Sequence, residues 1–259
     1  MLSEERYDEI VRLIDEKKSV SVAELVKILE ASESTVRRCL AKLSAQGRIK
    51  KVHGGAMSVS NRFLLKDEDV SLRTNVNIEA KNAIAKYAAS LICANDFVYL
   101  DAGTTTEAMI DYITGKDVVF VTNGINHGRK LAKAGYVTYI LGGEIKRSTE
   151  CVIGVKAVEE LMSYNFTKAF FGTNGVSEDK GFTTPDIREA MVKKRALEKS
   201  KEVYVLADSS KFSQIAPVKF GEFKEATIIT CDLNDKSLKK YENIKEVKQW
   251  YIQLPLIQH

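Results

Sequence analysis

The sequence predicts a two-part chain of α/β class: a small N-terminal winged helix-turn-helix, then a larger α/β domain built on a largely parallel sheet. Three observations predict it. Short amphipathic helical patterns and a Gly-Gly turn crowd into the first sixty residues. From residue 77 onward, short apolar runs alternate with helical stretches. The positive charge of the chain is confined to one window. The 259 residues carry 39 Lys+Arg against 35 Asp+Glu, a formal net charge of +4. Residues 1–33 hold five basic and nine acidic residues, and residues 67–259 hold 26 of each. Residues 34–66 hold eight basic residues (Arg37, Arg38, Lys42, Arg48, Lys50, Lys51, Arg62, Lys66) and no acid. Such a window points to a polyanionic partner, the alternative being a merely solvated basic surface.

The first helix is predicted from Tyr7, Ile10, Val11 and Ile14 at helical spacing, with Ser3 as a candidate N-cap. The second opens on Ser21-Val-Ala-Glu24, the spacing of a capping box, and continues through Leu25, Val26 and Leu29. The third opens near Ser32; Val36, Leu40 and Leu43 form its apolar face, and Gly47 is the expected stop. Two short strands around Gly54-Gly55 follow. Ser34, Thr35, Arg37, Arg38 and Lys42 lie off the apolar face of the third helix, where a recognition helix meets base edges and phosphates. Lys50, Lys51 and His53 belong to the wing. These eight residues are the candidate DNA contacts. The competing reading is a three-helix domain that packs on a neighbour; the absence of acids over 34–66 weighs against it.

Residues 34–56 carry a resemblance. Ser34-Thr-Val-Arg-Arg-Cys-Leu40, Gly47-Arg-Ile49 and His53-Gly-Gly-Ala56 resemble the DNA-binding region of DeoR-family bacterial transcriptional regulators, whose pattern is roughly T-[IV]-R-R-D-L, L-x-x-x-G and H-G-G-A. Cys39 stands where the family usually has Asp, and Glu30 where Gly or Asn is more usual.

Three parts are expected: a DNA-binding domain over 1–59, a linker over 60–76 and an effector domain over 77–259. In the last, a helix is expected from Ile78 to Leu91, and strands at 97–100, 118–121, 137–141, 169–171, 203–206 and 226–229. Further helices are expected near 105–113, 124–134, 155–163, 186–200 and 235–242. Ligands of such sheets bind at the carboxyl ends of strands. Those ends carry Asp101-Ala-Gly103-Thr104-Thr105-Thr106, Thr122-Asn123, Gly142-Gly143, Gly172-Thr-Asn174 and Asp208-Ser-Ser-Lys211. Small, hydroxyl and charged residues at five strand ends suit a phosphorylated polyol. Backbone N–H groups and hydroxyls at 103–106 suit the phosphate. Lys211 offers a point charge, and Asp101, Asn123, Asn174 and Glu189 offer partners for hydroxyls. No GxxxxGK[ST] and no strand-borne GxGxxG occurs, so neither a P-loop nor a dinucleotide site is expected.

The resemblance continues through Lys81-x-x-Ile-Ala85, Leu100-Asp-Ala-Gly-Thr-Thr-Thr106, Gly181-Phe-Thr-Thr184, Glu189-Ala190 and Ala207-Asp-Ser-Ser-Lys-Phe212, and so spans nearly the whole chain. Ala80 stands before Lys81 where the family commonly has Glu. The resemblance implies a sugar-phosphate sensor related in fold to ribose-5-phosphate isomerases. It also implies a repressor of a sugar-uptake or sugar-catabolism operon, released from its operator by a phosphorylated sugar. Two other readings stand beside it. An isomerase-like enzyme fused to a DNA-binding domain would need an acidic inventory that Thr173-Asn-Gly-Val176 does not supply. A regulator with a degenerate effector site would answer to a protein instead. No enzymatic activity is expected.

Cys39, Cys93, Cys151 and Cys231 are far apart, and with only His53, His127 and His259 they form no metal-site spacing; no metal or cofactor is expected. There is no run of about 18 apolar residues and no apolar signal core at the N-terminus, so a cytoplasmic protein without a membrane partner is expected. Double-stranded operator DNA and a homo-oligomer, dimer or tetramer, are the remaining expected partners. Trp250, Tyr251 and Ile252 are candidates for an interface or for the sheet.

Overall fold

The computed structural model describes residues 3–17, 19–46, 48–58, 62–65, 69–233 and 236–248. Gly47, residues 60, 61 and 66–68 of the expected linker, Trp250, Tyr251 and Ile252 lie outside them. The chain divides into two compact units, residues 1–62 and 63–259.

The first unit runs α1 (Ser3–Lys17), β1 (Ser19–Ser21), α2 (Val22–Leu29), α3 (Glu33–Ala45), β2 (Ile49–Val52) and β3 (Gly55–Ser58). Caps form at Ser21 and Ser32, while Ser3, expected as the first cap, is the first residue of α1. The Ser21 side chain accepts from Glu24 N (3.1 Å) while Ser21 N donates to the Glu24 carboxylate (2.9 Å), the reciprocal pair of a capping box. Ser32 caps α3 by accepting from Thr35 N at 3.3 Å. Ile10, Ile14, Leu25, Val36, Leu40 and Leu43 fill the core. The turn between α2 and α3 puts Glu30 in the left-handed region (φ 48°, ψ 39°), the conformation that favours Gly or Asn. The wing has three strands, in the order β1-β3-β2, all antiparallel. Its third strand, β1, is not expected from the sequence. It explains Gly55, where a side chain would strike the backbone oxygen of Val20. Gly54 makes the hairpin turn at φ +81°.

The second unit is doubly wound. After β4 (Arg62–Phe63) and a short α4 (Val70–Thr74), α5 (Ile78–Ala89) leads into β5 (Phe97–Leu100). Next come α6 (Thr104–Met109), β6 (Val119–Thr122), α7 (Ile125–Lys133), β7 (Val137–Ile140) and the hairpin β8 (Glu144–Lys146) and β9 (Cys151–Ile153). There follow α8 (Val155–Leu161), β10 (Phe166–Gly172), β11 (Gly175–Ser177), β12 (Gly181–Thr184), α9 (Ile187–Glu198) and β13 (Ser200–Leu206). The chain closes with β14 (Gln214–Ile215), β15 (Val218–Gly221), β16 (Thr227–Cys231) and β17 (Ile244–Val247). Seven strands form one parallel sheet in the order β17-β16-β13-β10-β5-β6-β7. Its two faces follow the strand period of two. Tyr99, Val121, Phe171 and Val205 pack under α8 and α9, while Val98, Leu100, Phe120, Phe170 and Leu206 pack under α5 and α6.

Several boundaries differ from expectation. The expected helix at 235–242 is a 3₁₀ turn, Lys236–Lys240, among the described residues. The stretch expected as linker contains α4, and Val70 N donates to Ser148 O (2.9 Å), which ties this end of it to the second unit. No helix among the described residues is long and apolar enough to cross a membrane.

Candidate functional site

In the first unit, Ser34, Arg37, Arg38, Lys42, Lys50, Lys51 and His53 are exposed and Thr35 is half-buried. The structure pairs some of the positive window. Arg37 donates to Glu33 one turn back (2.8 Å), and Arg48 donates to Asp8 (2.8 Å). The ammonium of Lys42 sits 4.8 Å from the centre of the Tyr7 ring. Cys39 is buried in the core, so the residue in place of the family's Asp packs with Val36, Leu40 and Leu43. Glu33 supplies the acceptor for Arg37. An exposed pair of this kind contributes about 0.3–0.5 kcal/mol, so a phosphate can displace it at little cost.

In the second unit, sheet order reverses between β5 and β10: β5, β6 and β7 run outward on one side, and β10, β13, β16 and β17 on the other. At this switch point the two loops diverge and open a crevice. Asp101 laces the two strand ends together. Its N donates to Phe170 O (3.0 Å), and its Oδ2 accepts from Gly172 N (3.0 Å). Lys193, reaching in from α9, donates to Asp101 Oδ2 and to Gly172 O (3.1 Å). Asp101 and Lys193 are both buried, and Asp101 Oδ1 has no hydrogen-bond partner. Burial raises the Asp101 pKa against the opposing pull of Lys193 and the Gly172 amide.

The cleft above this pair is lined by Gly103, Thr104 and Thr105 from the α6 start, and by Gly172, Thr173 and Asn174 beyond β10. Asp208 and Lys211 line it from beyond β13, Thr149, Glu189 and Lys193 from another side, and Arg73, Val76 and Lys81 close it. Gly103 is extended (φ 177°) and needs no special backbone; its missing side chain leaves room beside Thr106 and Gly172. Burial depresses the Lys81 amine to about 8; Asp208 pulls it back up, while Lys211 and Arg73 push it further down. Lys81 donates to Arg73 O. Glu189 lies opposite in character. Burial would raise its pKa, but Lys193, the Thr149 hydroxyl (2.6 Å) and Lys146 (3.1 Å) outweigh that and hold it below the usual carboxylate range. Lys146 also pairs with Asp186 at 3.2 Å.

Of the thirteen residues expected to hold the effector, Gly103, Thr104, Thr105, Asn174, Glu189, Asp208 and Lys211 line this cleft. Asp101 lies beneath it. The other five do not line it. Thr106 donates to Asp101 O (2.6 Å) and meets His127 Nε2 (3.1 Å). That histidine, depressed by burial to about 3, is a neutral structural prop. Thr122 donates to Leu100 O (2.6 Å) and caps Gly124 N (3.0 Å). Asn123 accepts from Ala102 N (2.9 Å), so it shapes the 101–103 loop. Gly142 N donates to Glu160 (2.8 Å), and Gly143 passes close to Ile153 O; both follow β7, the outer strand of the sheet. The cleft also contains charged groups absent from the expected set: Arg73, Lys81 and Lys193. Among the described residues, no cluster of His, Cys, Asp or Glu is arranged to hold a metal ion.

A winged helix-turn-helix on one unit and a cation-lined cleft at the switch point of a doubly wound sheet on the other define a class: a DNA-binding protein with its own ligand-sensing domain. Comparison with known proteins gives the family. A model described as the DeoR-like helix-turn-helix domain matches residues 6–62, and one described as the DeoR C terminal sensor domain matches residues 76–233. The chain belongs to the DeoR family. It is 42% identical to the uncharacterized HTH-type transcriptional regulator FruR of Bacillus subtilis (strain 168), covering 96% of this chain and 98% of that one. It is 35% identical to a lactose phosphotransferase system repressor of Staphylococcus epidermidis, covering 93% and 96%. It is 34% identical to the HTH-type transcriptional regulator IolR of Bacillus subtilis (strain 168), again covering 93% and 96%. All three are named as regulators. A solved ribose 5 phosphate isomerase A from Neisseria gonorrhoeae superposes with TM-score 0.39 at 15% identity, covering 53% of this chain and 54% of that one, too loosely to argue from.

Proposed function

We propose that this chain represses a sugar-uptake or sugar-catabolism operon from the cytoplasm, and that a phosphorylated sugar releases it from its operator. One observation carries the effector half of this reading. Arg73, Lys81, Lys193 and Lys211 converge with the Thr104 and Thr105 hydroxyls on one cleft at the switch point, with Asn174 and Glu189 beside them. Four cations and a row of hydroxyls fit a phosphate, and a neutral amide and a carboxylate fit sugar hydroxyls. The lactose phosphotransferase repressor among the relatives supports the sugar class. The DNA half rests on Arg38, Lys50 and Lys51, exposed on the recognition helix and wing. A homo-oligomer reading repeated half-sites completes the reading.

Release requires the sugar to bind the DNA-incompetent arrangement more tightly, since a ligand shifts an equilibrium only by its differential affinity. A coupling of about 1–3 kcal/mol would weaken operator binding roughly 5- to 150-fold. A thermal-shift screen tests the effector class. Phosphorylated sugars should raise the melting temperature, and their unphosphorylated counterparts should not. Equal shifts with both would refute the phosphate assignment.

A further inference from the structure

The charged side chains lining the cleft fall into two sets with separate hydrogen-bond partners: Lys81 donates to Arg73 O, while Glu189 accepts from Lys146 and Thr149. The charged groups acting on Lys81 are Asp208, Lys211 and Arg73, two cations and one carboxylate. The cations acting on Glu189 are a different pair, Lys193 and Lys146, and both are already engaged. Lys193 is held by Asp101 and Gly172 O, and Lys146 is shared between Asp186 and Glu189. Glu189 is therefore an ionised carboxylate, 6% exposed, at the wall of a cationic cleft.

Its two oxygens differ. Oε1 accepts from Lys146, Thr149 and Cys151, at 3.1, 2.6 and 3.4 Å. Oε2 meets the Thr184 hydroxyl at 3.4 Å, long for a hydrogen bond between oxygens. A carboxylate oxygen so weakly engaged retains acceptor capacity, and an ionised carboxylate can only accept. A sugar hydroxyl donates to it. A phosphate dianion has no proton to give and meets a buried like charge, the arrangement by which binding sites reject a wrong partner.

We propose that Glu189 fixes the direction of the ligand and restricts the cleft to sugars bearing a single phosphate. The phosphate lies against Lys81, Lys211 and Arg73, a hydroxyl at the other end donates to Glu189, and a second phosphate at that end is excluded. The proposal rests on the sugar-phosphate reading of the cleft and adds to it a rule of selection.

Calorimetry on the full chain tests it. The probes are fructose 1-phosphate, fructose 6-phosphate, glucose 6-phosphate and ribose 5-phosphate, set against fructose 1,6-bisphosphate. The expected result is that a monophosphate binds and the bisphosphate binds at least about tenfold more weakly. Glu189→Gln keeps the size and removes the charge, so it should narrow that ratio, chiefly by tightening the bisphosphate. A bisphosphate that binds the wild-type chain as tightly as the best monophosphate overturns the proposal and leaves the sugar-phosphate reading standing. So does a ratio that stays the same in Glu189→Gln. Failure of all five probes to bind overturns the reading and the proposal together. Should Glu189→Gln fail to fold by circular dichroism, the wild-type ratio decides alone.

Discussion

Lys81 should make effector affinity depend on pH in a range where ordinary lysines are silent. It is 7% exposed, and burial together with Lys211 and Arg73 brings its amine to about 8 despite the opposing pull of Asp208. A group with that midpoint is about nine-tenths protonated at pH 7 and about one-tenth protonated at pH 9. If the phosphate binds the charged amine, the apparent dissociation constant is the intrinsic one divided by the protonated fraction, so it rises about tenfold from pH 7 to pH 9. The second ionisation of the phosphate, near pH ~6, is nearly complete across this range and does not mask the effect. The bound phosphate raises the Lys81 pKa, so binding above pH 8 takes up a proton, which calorimetry in buffers of different ionisation enthalpy reads directly. For the ligand-free chain the sign is opposite. A depressed lysine opposes folding most below about pH 8, and that opposition fades as pH rises toward 10.5. Lys81→Met should bind more weakly at pH 7 and lose the slope between pH 7 and 9. An affinity independent of pH in the wild type, or the same slope in Lys81→Met, would refute the reasoning.

Other consequences are simpler to measure. Replacing Lys50 and Lys51 together with Ala should lower the salt slope of DNA binding by about two units, since each phosphate contact contributes nearly one; an unchanged slope in a salt titration would remove the wing from the interface. Glu30→Gly relieves a left-handed backbone at φ 48° and should stabilise the first unit by about 0.5–1 kcal/mol; chemical denaturation that shows a loss would mean the Glu30 side chain does something the cap geometry does not explain. Asp96 accepts from Lys168 (2.6 Å), Thr167 (2.7 Å) and Cys93 N (2.7 Å), and these bonds hold its pKa down against burial. Asp96→Asn should therefore destabilise the chain at neutral pH, and the difference from wild type should shrink as pH falls below the ordinary Asp value of about 4. A difference that persists at pH 2 would make the loss one of packing.

Where local chemistry sets an element, the sequence made it legible. The Ser21/Glu24 box, the Ser32 cap, the Gly54 turn and the unusual Glu30 could all be read from residue type and spacing, because each is fixed within a few residues. The strands flanking the switch point were legible as short apolar runs. Elements formed by long-range pairing were not. Ser19–Ser21 reads as a helix lead-in and becomes a strand only through β3. Ile244–Val247 reads as charged chain and becomes the sheet's last strand by pairing with β16. The candidate site divides the same way. Strand-end residues could be picked out by position, but position alone does not show which line the cleft and which, such as Thr122 and Asn123, hydrogen-bond within the strand-end loops. Gly142-Gly143 lies outside the cleft lining, and local sequence could not show this because strand order, and so the location of the crevice, is absent from it. Lys193 sits mid-helix, where a lysine ordinarily marks solvent; its burial beside Asp101 appears only when α9 is laid on the sheet. Lys81 carried one signal, its place in the motif shared with the family.

The central claim is that one chain couples phosphate recognition at the switch point to release of DNA. Fluorescence anisotropy tests it most directly, on a duplex this chain itself selects from random sequence, with and without a sugar phosphate that shifts its melting temperature. The expected result is a fall in DNA affinity of roughly 5- to 150-fold for the wild type. Lys211→Ala should bind the duplex normally and show no such fall. A sugar phosphate that binds the wild-type chain and leaves its DNA affinity unchanged would contradict the account.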